Sequence, residues 1–435
     1  MKKNSKKSDK LLNKGTVAVI GLGYVGLPLA CLASEKGYRV IGLARDPKKI
    51  DLINKKISPI KENKLDVWLK KVEIEATTDP RLLKKAKVII ICVPTPVDHL
   101  YNPDLTPVID ASTMAAKSLR RGQLIILEST VNPGVCEEVV LPILEKSGLK
   151  AGKGFFLAHC PERINPGDKK WYVRNIPRVV GGYSEKCLKK AVDFYRSILE
   201  SEVRPMKSLK EAEATKIMEN SFRDVNIAFV NEIAQSFDKL GIDVMDVIEG
   251  AKTKPFSFLA HYPSCGIGGH CIPVDPYYLI ERAKKEGFDH KFLKLAREIN
   301  NAMPKFTVNQ LMLALNFLGH SVKGTKIGLL GVAYKANVAD IRESPFFVIK
   351  KLLKPMEPIL EIYDPYLKSY STKESLDETL KGSEAIIIIT DHREFKEMDL
   401  KKLKKFGVKV VIDGKNCLDK EKILKMGIIY KGIGR

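Results

Sequence analysis

The amino-acid sequence predicts an α/β protein with two Rossmann-like, doubly wound parallel-sheet domains joined by a helical middle domain with a long central helix. Three observations support this prediction. A strand, a glycine-rich turn, a helix and a second strand follow one another between Thr16 and Leu43. Residues 211–240 contain no Gly or Pro and place apolar side chains every three or four positions. From Lys326 onward, short apolar runs alternate again with helical segments.

Length and composition indicate an ordinary globular protein. The 435 residues, 44% of them hydrophobic, exclude the disordered and fibrous classes. The net charge of +22 favours anionic partners, which include nucleic acid, an anionic membrane and phosphorylated small molecules. We predict four segments: a basic tail at 1–14, a dinucleotide-binding domain at 15–205, a helical middle domain at 206–305 and a second α/β domain at 306–435.

The sequence favours a cytoplasmic protein that does not span a membrane. Its longest apolar runs, 88–93 and 385–389, are far shorter than the ~20 residues that a membrane helix needs. The first fourteen residues contain six lysines and no apolar signal region. Eight cysteines are scattered along the chain without a paired motif, which is typical of a reducing compartment.

A glycine-rich turn predicts dinucleotide binding. Gly21, Gly23 and Gly26 lie between the first strand and the first helix, where a pyrophosphate can approach backbone amides. After the second strand, an acidic residue usually binds the ribose of NAD, but this chain has Arg45 followed by Asp46. NAD is the predicted cofactor, and NADP stays open because an Arg at this position suits a 2′-phosphate.

Cys271 is the predicted nucleophile. It follows three glycines within the stretch 264–271, and we expect this backbone to let a substrate carbon reach the thiol. Two alternatives stand beside this hypothesis. A single cysteine is usually a small buried apolar residue, and Cys265, His270 and Cys271 could bind zinc, although their spacing matches no common structural site. We therefore predict no metal.

The predicted long helix places three polar side chains on one face. Lys216, Asn220 and Arg223 are separated by four and three positions. Such a stripe is usually solvated, so the spacing alone does not establish a functional role.

Taken together, these motifs resemble those of the nucleotide-sugar dehydrogenase family, the UDP-glucose/GDP-mannose dehydrogenases, over nearly the whole chain. The motifs are GLGYVGLPLA (21–30), VPTP (93–96), EST (128–130), CPERINPG (160–167), Lys216 with Asn220, GGHCIPVDPYYL (268–279) and GVAYKANVADIRESP (331–345). The cysteine loop resembles the branch that acts on UDP-N-acetylhexosamines, and the resemblance favours UDP-N-acetylglucosamine. UDP-ManNAc, UDP-GalNAc and UDP-glucose remain alternatives.

The resemblance implies a four-electron, NAD-dependent oxidation of a C6 alcohol to a uronate through a thiohemiacetal and a thioester on Cys271. It implies a route to a cell-surface polysaccharide. Lys216 and Asn220 would stabilise the oxyanion, Asp275 and Thr130 would support the base chemistry and a water, and Glu162 would be an acid or base. Where the glucose branch has a second glutamate, this chain has Pro166.

The resemblance also implies binding residues. Arg163, Ile164 and Arg223 would bind the sugar, and Lys335 and Arg342 the diphosphate. The implied cofactor contacts are Gly21, Gly23, Tyr24, Val25, Gly26, Arg45, Lys49, Thr95 and Thr130. The expected partners are a UDP-sugar and a second copy of the chain, as a homodimer or higher oligomer, without nucleic acid or membrane.

Two other function classes remain open at this stage. One is a two-electron hydroxyacid or sugar-phosphate dehydrogenase with the same layout. The other is a basic protein that binds NAD or nucleic acid without catalysis, which the net charge supports. The dispersed lysines and the Cys271 loop argue against this second class.

Overall fold

A computed structural model describes residues 14–60, 63–98, 101–164 and 170–435, so nearly all of the predicted basic tail lies outside the described residues. The chain divides into two compact units. Unit 1 comprises Met1–Glu219 and Tyr277–Gly287, and unit 2 comprises Asn220–Pro276 and Phe288–Arg435. The boundaries of the predicted middle domain stay a prediction.

The described part of unit 1 contains one eight-stranded sheet with the order β3-β2-β1-β4-β5-β6-β7-β8. Its strands are β1 (Thr16–Ile20), β2 (Arg39–Leu43), β3 (Ile74–Thr77), β4 (Val88–Ile91), β5 (Leu124–Leu127), β6 (Phe156–His159), β7 (Arg178–Gly182) and β8 (Val203–Pro205). Neighbouring strands are parallel except β6 and β7. Strands β4 and β5 are entirely apolar and buried, as parallel strands covered on both faces must be.

Unit 2 contains a five-stranded parallel sheet with the order β10-β9-β11-β12-β13. Its strands are β9 (Lys326–Leu330), β10 (Ile359–Tyr363), β11 (Ala385–Ile388), β12 (Val410–Asp413) and β13 (Ile429–Gly432). Both sheets reverse their strand order near the first strand, as doubly wound folds do, and such folds bind ligands at the carboxyl ends of the strands flanking this point.

The helices follow the strands in both units. They are α1 (Gly26–Glu35), α2 (Pro47–Asn54), α3 (Asn63–Leu69), α4 (Thr106–Ser118), α5 (Leu141–Glu145), α6 (Glu185–Ile198), α7 (Leu209–Leu240), α8 (Val244–Lys252), α9 (Asp275–Lys285), α10 (Lys291–Phe317), α11 (Pro345–Leu353), α12 (Leu376–Leu380), α13 (Arg393–Lys396), α14 (Lys401–Phe406) and α15 (Lys420–Lys425). Short 3-10 helices occur at Pro80–Lys85, Lys354–Met356 and Lys368–Tyr370, and one π turn at Cys136–Val140.

The predicted α/β class and the long central helix are confirmed, with two local differences. Strand β7 runs antiparallel to β6, whereas the sequence predicts a parallel sheet. The last helix of the helical middle domain predicted at 206–305, α10, continues to Phe317, and Gly287, at φ 84°, separates it from α9. In the part of the chain that the structure describes, no helix has the length and apolar character to cross a bilayer.

Candidate active site

The glycine-rich turn in unit 1 uses its three glycines for three different reasons. Gly21 has φ 98°, and an ideal Cβ there would lie 2.4 Å from the carbonyl oxygen of Cys92. A Cβ on Gly26 would lie 1.9 Å from the Gly21 oxygen, so the start of α1 needs glycine for close packing. A Cβ on Gly23 would meet nothing within 4 Å. Gly23 therefore leaves an open backbone surface of the kind that a pyrophosphate approaches, and the turn fits a dinucleotide.

The residues after β2 make local contacts. The carboxylate of Asp46 accepts a hydrogen bond from the Lys48 amide at 2.9 Å and caps α2. Arg45 forms an exposed ion pair with Asp110 at 3.0 Å, and Lys49 is half-buried in the first turn of α2. Asp46 is therefore engaged in the helix cap, and Arg45 has a carboxylate partner within the protein.

The other predicted cofactor contacts lie in unit 1 as well. Tyr24 and Val25 are half-buried and pack against the core under the sheet. Thr95 is half-buried after β4, and its carbonyl oxygen accepts a hydrogen bond from the Tyr278 hydroxyl. Thr130 is half-buried and follows β5. These positions follow the carboxyl ends of β1, β4 and β5, where doubly wound sheets bind their ligands.

Glu162 is held by a buried arginine. One carboxylate oxygen accepts hydrogen bonds from the amides of Arg163 and Ile164, each at 2.6 Å. The other accepts one from Arg178 at 2.7 Å, and Arg178 is fully buried. A second carboxylate, Glu128, lies 3.8 Å from the same guanidinium. Burial raises the pKa of Glu128 to about 7, and the charge of Arg178 opposes this shift.

Arg163 is paired inside unit 1. Its guanidinium forms an ion pair with Glu219 at 2.5 Å and donates a hydrogen bond to the carbonyl oxygen of Pro177 at 2.9 Å. Ile164 packs partly against the apolar core. Any contact of Arg163 with a sugar would therefore compete with Glu219.

The three predicted polar residues on the long helix differ in their exposure to solvent. Lys216 is 8% exposed and Asn220 is 5% exposed, whereas Arg223 is exposed. The inward position one turn after Asn220 is Asp224. Among the described carboxylates, none forms an ion pair with Lys216, so this buried ammonium has a charge that an anionic substrate or oxyanion could compensate.

The cysteine loop lies in unit 2 at the carboxyl edge of the second sheet. Cys265 donates its amide to Gly414 at 2.8 Å, and its thiol lies 3.6 Å from the Ile389 carbonyl oxygen. A Cβ on Gly268 or Gly269 would lie 2.5 Å or 2.8 Å from the side chain of Tyr334. These two glycines permit close packing, which differs from the flexible approach that the sequence suggests.

Cys271 lies close to the amino end of α9 and interacts electrostatically with Arg342. It is half-buried, and its carbonyl oxygen accepts hydrogen bonds from Val274 and Asp275 at 3.1 and 2.8 Å, so it immediately precedes the amino end of α9. The pKa of Arg342 is raised: burial opposes the shift, and Asp340 together with the nearby Tyr334 and Cys271 favours the charged guanidinium. A cation and a helix amino terminus both stabilise a neighbouring thiolate.

Asn220 and Asp275 form a buried polar pair, and Asp275 comes four residues after Cys271 in the sequence. Asn220 donates a hydrogen bond to the Asp275 carboxylate at 2.5 Å, and Asp275 is 3% exposed in the first turn of α9. The structure thus brings together two of the predicted catalytic residues, and an acidic side chain in the first turn is favoured by the helix dipole.

The segment 331–342 carries the two predicted diphosphate ligands. Lys335 is half-buried, and Arg342 is exposed with its guanidinium directed to Asp340, at 3.0 Å from Nε to Oδ1. The carbonyl oxygen of Arg342 accepts a hydrogen bond from Gly269 at 2.9 Å. The cysteine loop and this segment are therefore tied together within unit 2.

One buried group in unit 1 has the side chains of a metal site. Cys136, His159 and Glu213 offer ligand atoms within 4.8 Å of one another. Both oxygens of Glu213 already accept hydrogen bonds, at 2.6 Å from the Gly134 amide and 2.8 Å from the Cys136 amide. Backbone amides at the start of the π turn therefore account for the position of the Glu213 carboxylate.

Sequence reasoning missed a polar network behind the cysteine loop. Arg297 and Asn300 on α10 donate hydrogen bonds to Asp224 at 2.5 and 2.8 Å. Asn231 donates to Asn300 at 2.9 Å and accepts from the Ser264 amide at 2.9 Å. The available signal was helical spacing: Arg297 and Asn300 are three positions apart on α10, and both are buried on its inward face.

Three family models match the chain in order. Residues 15–199 match the NAD binding domain of the UDP-glucose/GDP-mannose dehydrogenase family, residues 210–302 its central domain and residues 328–420 its UDP binding domain.

Individual proteins are similar over almost their full length. A UDP-N-acetyl-D-mannosamine dehydrogenase of Pyrococcus horikoshii is 37% identical over 424 residues, which cover 96% of this chain and 99% of that protein. A UDP-N-acetyl-D-glucosamine 6-dehydrogenase of Pseudomonas aeruginosa is 36% identical, over 93% and 98% of the two chains. A solved structure of the UDP-D-ManNAc dehydrogenase from Pyrococcus horikoshii superposes with a TM-score of 0.91 at 37% identity, covering 97% and 99% of the chains.

Proposed function

Since this chain belongs to the UDP-glucose/GDP-mannose dehydrogenase family, we propose that it oxidises the C6 hydroxyl of a UDP-N-acetylhexosamine to a carboxylate with Cys271 as the nucleophile. The family fixes the coarser activity, an NAD-dependent nucleotide-sugar dehydrogenase. UDP-N-acetylglucosamine is the first-choice substrate. The observation that carries the proposal is the half-buried Cys271 next to Arg342 and the amino end of α9.

The chemistry requires two oxidations with a covalent step between them. When bound, NAD accepts the hydride that leaves the substrate carbon. Loss of a hydride and a proton from the C6 alcohol gives an aldehyde. The Cys271 thiolate then forms a carbon–sulfur bond with the aldehyde, and the resulting alkoxide takes up a proton to give a thiohemiacetal. Loss of a proton and of a second hydride, for which a second NAD would be the acceptor, gives a thioester. Water cleaves the carbon–sulfur bond, releasing the carboxylate and returning the thiol.

The buried polar residues supply charge and proton positions for these steps. Lys216, a buried ammonium without a described carboxylate partner, would stabilise the developing alkoxide and the oxyanions. Asn220 would orient Asp275, whose carboxylate it contacts at 2.5 Å, for proton transfer. Thr130 would support the base chemistry and the water, and Glu162, which accepts a hydrogen bond from Arg178 at 2.7 Å, would act as an acid or base.

Substrate recognition is assigned to the residues that match the family's binding motifs. Lys335 and Arg342 would bind the diphosphate, because ammonium and guanidinium groups suit phosphate oxygens. Arg163, Ile164 and Arg223 would contact the sugar. Arg223 is exposed and can turn toward a ligand without losing a described ion pair, whereas Arg163 must give up Glu219.

A homodimer is part of the proposal. Helix α7 exposes Phe222 and Phe229, one face of the helix two turns apart, at 50% and 56%. Helix α10 exposes Phe292 at 67%. Large exposed aromatic side chains on long helices are typical of a surface that a second subunit covers.

UDP-N-acetylmannosamine is the second candidate substrate. It is supported by the 37% identity to the Pyrococcus horikoshii enzyme and by the TM-score of 0.91 with the structure of the UDP-D-ManNAc dehydrogenase from that organism. Both candidates share the N-acetyl group and differ only at C2, so the chemistry at C6 is the same.

A substrate panel tests the proposal. NADH formation is followed to completion with UDP-GlcNAc, UDP-ManNAc, UDP-GalNAc and UDP-glucose, and the products are identified by mass. We expect turnover with an N-acetylhexosamine and loss of nearly all turnover in C271S. The matched control is C417S, which replaces the other half-buried cysteine and should stay active. Full activity of C271S, or DNA retention without turnover on any UDP-sugar, would overturn the proposal.

A further inference from the structure

We propose that His392, held by Asp364, is a positioning residue for the UDP-sugar: it fixes the segment 331–337 so that Lys335 meets the substrate diphosphate. The inference rests on the proposed function, in which Lys335 is a diphosphate ligand. It concerns the carboxyl edge of the second sheet, where the chain leaves β9, β10 and β11 at the point of strand-order reversal.

Asp364, which follows β10, is the centre of the arrangement. It is fully buried, and Oδ2 accepts hydrogen bonds from the amides of Val332 and Ala333 at 2.7 and 2.9 Å. Oδ1 accepts bonds from the amides of Tyr366 and Leu367 at 2.8 and 3.1 Å. One carboxylate thus fixes the beginning of the segment 331–337 to the loop after β10.

His392 connects the same carboxylate to the end of the segment. It is fully buried after β11, with Nε2 at 3.1 Å from Asp364 Oδ2 and Nδ1 at 2.9 Å from the Asn337 amide nitrogen. A backbone amide can only donate, so Nδ1 must accept, and the proton must lie on Nε2. The ring is therefore a neutral bridge that donates to Asp364 and accepts from Asn337.

The carboxylate suits this bridge. Burial tends to raise the pKa of Asp364, but the hydrogen bonds from His392 and from the amides of Ala333 and Val332 outweigh it and lower the pKa to about 2. Asp364 therefore stays ionised and keeps accepting at neutral pH.

Further contacts fix Asn337 in an unusual conformation. Its φ of 60° lies in the left-handed region, and its side-chain oxygen accepts a hydrogen bond from the Arg393 amide at 3.0 Å. Tyr366 stacks on the His392 ring with centroids 5.1 Å apart. At the other end, Gly331 packs so closely that a Cβ would lie 2.5 Å from that of Thr390.

These contacts hold the segment on both sides of Lys335. Val332 and Ala333 precede it and bond to Asp364, and Asn337 follows it and bonds to His392. A long lysine side chain loses rotamer freedom when it binds a ligand. Because the backbone is fixed two residues before and two residues after Lys335, only the side chain loses conformational freedom when the ligand binds. We therefore expect His392 to affect the affinity for the substrate and not the rate of the chemical step.

The test measures UDP binding by calorimetry without NAD, together with KM for the UDP-sugar, KM for NAD, kcat and Tm. H392F removes both hydrogen bonds. We expect its Kd for UDP and its KM for the UDP-sugar to rise about tenfold, while kcat and KM for NAD change by less than about twofold. If His392 had only a structural role, H392F would have a lower Tm and a smaller active fraction, but KM for the UDP-sugar would not rise at nearly constant kcat.

Two conservative variants distinguish the hydrogen bond to Asn337 from the hydrogen bond to Asp364. They also provide the test if H392F does not fold. H392N keeps an acceptor near the Nδ1 position and should recover most of the UDP affinity, because Asn337 stays bonded. H392Q keeps a donor near the Nε2 position and should recover less. The matched control is H320Q, which breaks the 2.7 Å pair of a half-exposed histidine with Glu384, before the amino end of β11. It should leave UDP affinity unchanged.

The outcomes separate this inference from the proposed function. If wild type binds UDP and the three His392 variants bind it equally well, the positioning role is wrong while the proposed function stands. If kcat falls and KM does not change, His392 does not act through binding, and the inference is also wrong. If wild type binds no UDP at all, the proposed function fails together with the inference.

Discussion

Asn220 donates a hydrogen bond from its side-chain nitrogen to Oδ2 of Asp275, at 2.5 Å, and so ties the long helix α7 to the first turn of α9. Both side chains are almost fully buried, at 5% and 3% exposure. Asp275 comes four residues after Cys271, and its amide donates to the carbonyl oxygen of that cysteine at 2.8 Å. The pair therefore fixes the turn that carries the proposed nucleophile.

This contact predicts strong coupling between two substitutions. N220A and D275A should each lower kcat/KM by about tenfold to hundredfold, because each leaves a buried polar partner unsatisfied. The double variant should lose less than the product of the two effects, because both remove one interaction. N226A, which changes an exposed asparagine on α7, is the control. Multiplicative losses in steady-state kinetics would show that the two residues act separately.

The glycine-rich turn predicts that two alanine substitutions affect different properties, the stability in G26A and the binding of NAD in G23A. In G26A, the new Cβ would lie 1.9 Å from the Gly21 oxygen, so the backbone must move, and we expect a loss of about 1–3 kcal/mol of stability. In G23A, the Cβ meets no protein atom within 4 Å. G23A should keep the wild-type Tm and raise KM for NAD. Thermal melts without cofactor and NAD titrations check both, and a G23A variant with normal NAD affinity would contradict the account of Gly23.

Cofactor choice depends on a surface ion pair. Arg45 is paired with Asp110 at 3.0 Å, and the two side chains are 69% and 49% exposed. D110A should release Arg45 toward a 2′-phosphate and raise kcat/KM with NADP by about threefold, a small change because exposed pairs are weak. Activity with NAD should not change. D51A, which breaks the exposed pair of Lys55 and Asp51 at 2.8 Å, should have neither effect. If the ratio of kcat/KM with NADP to kcat/KM with NAD is unchanged in D110A, Arg45 does not determine cofactor choice.

Buried Glu213 predicts a pH dependence of stability. Burial raises its pKa from 4.5 to about 7, although hydrogen bonds from the Gly134 and Cys136 amides oppose the shift. Between these two values the folded state binds more protons than the unfolded state, so this group makes stability fall as pH rises from about 4.5 to about 7. E213Q cannot ionise, and it should melt at lower temperature but with a smaller dependence on pH.

The control for this prediction is E232Q, an exposed position on α7, which should keep the wild-type pH dependence. Melting curves recorded across that pH interval provide the measurement. If E213Q and the wild type lose the same stability between the lowest and the highest pH of this interval, Glu213 is ionised in the folded protein at both pH values, and the prediction is wrong.

Local sequence patterns predicted the elements whose contacts are local. Strand β1 and helix α1 occur in the predicted order between Thr16 and Leu43, because a buried apolar run ends at a glycine turn. Strand β7 was not predicted. It contains Gly181 and Gly182, which weaken a strand signal, and a Cβ on either would lie 2.3 Å from a backbone atom of a neighbouring segment. Such packing reasons are visible only in three dimensions.

The same division holds for the site. The motif around Cys271 could be located from the sequence, but its glycines serve contacts with Tyr334, which comes more than sixty positions later. Arg178 could not be assigned to Glu162, since no sequence pattern links an arginine on β7 to a carboxylate in the loop after β6. Helical spacing groups Arg223 with Lys216 and Asn220, and at 100° per residue Arg223 lies only ~20° from Lys216 around the helix axis. Arg223 is nevertheless exposed while Lys216 and Asn220 are buried, because burial depends on which segments pack against each turn of the helix.

The number of NADH molecules formed per UDP-sugar consumed, measured at completion, is the most direct test of whether Cys271 holds the aldehyde covalently between two oxidations. Covalent capture of the aldehyde by Cys271 predicts two, with a carboxylate as the product, because the sulfur retains the intermediate until the second oxidation. A ratio of one, with an aldehyde or ketone released, would contradict the account.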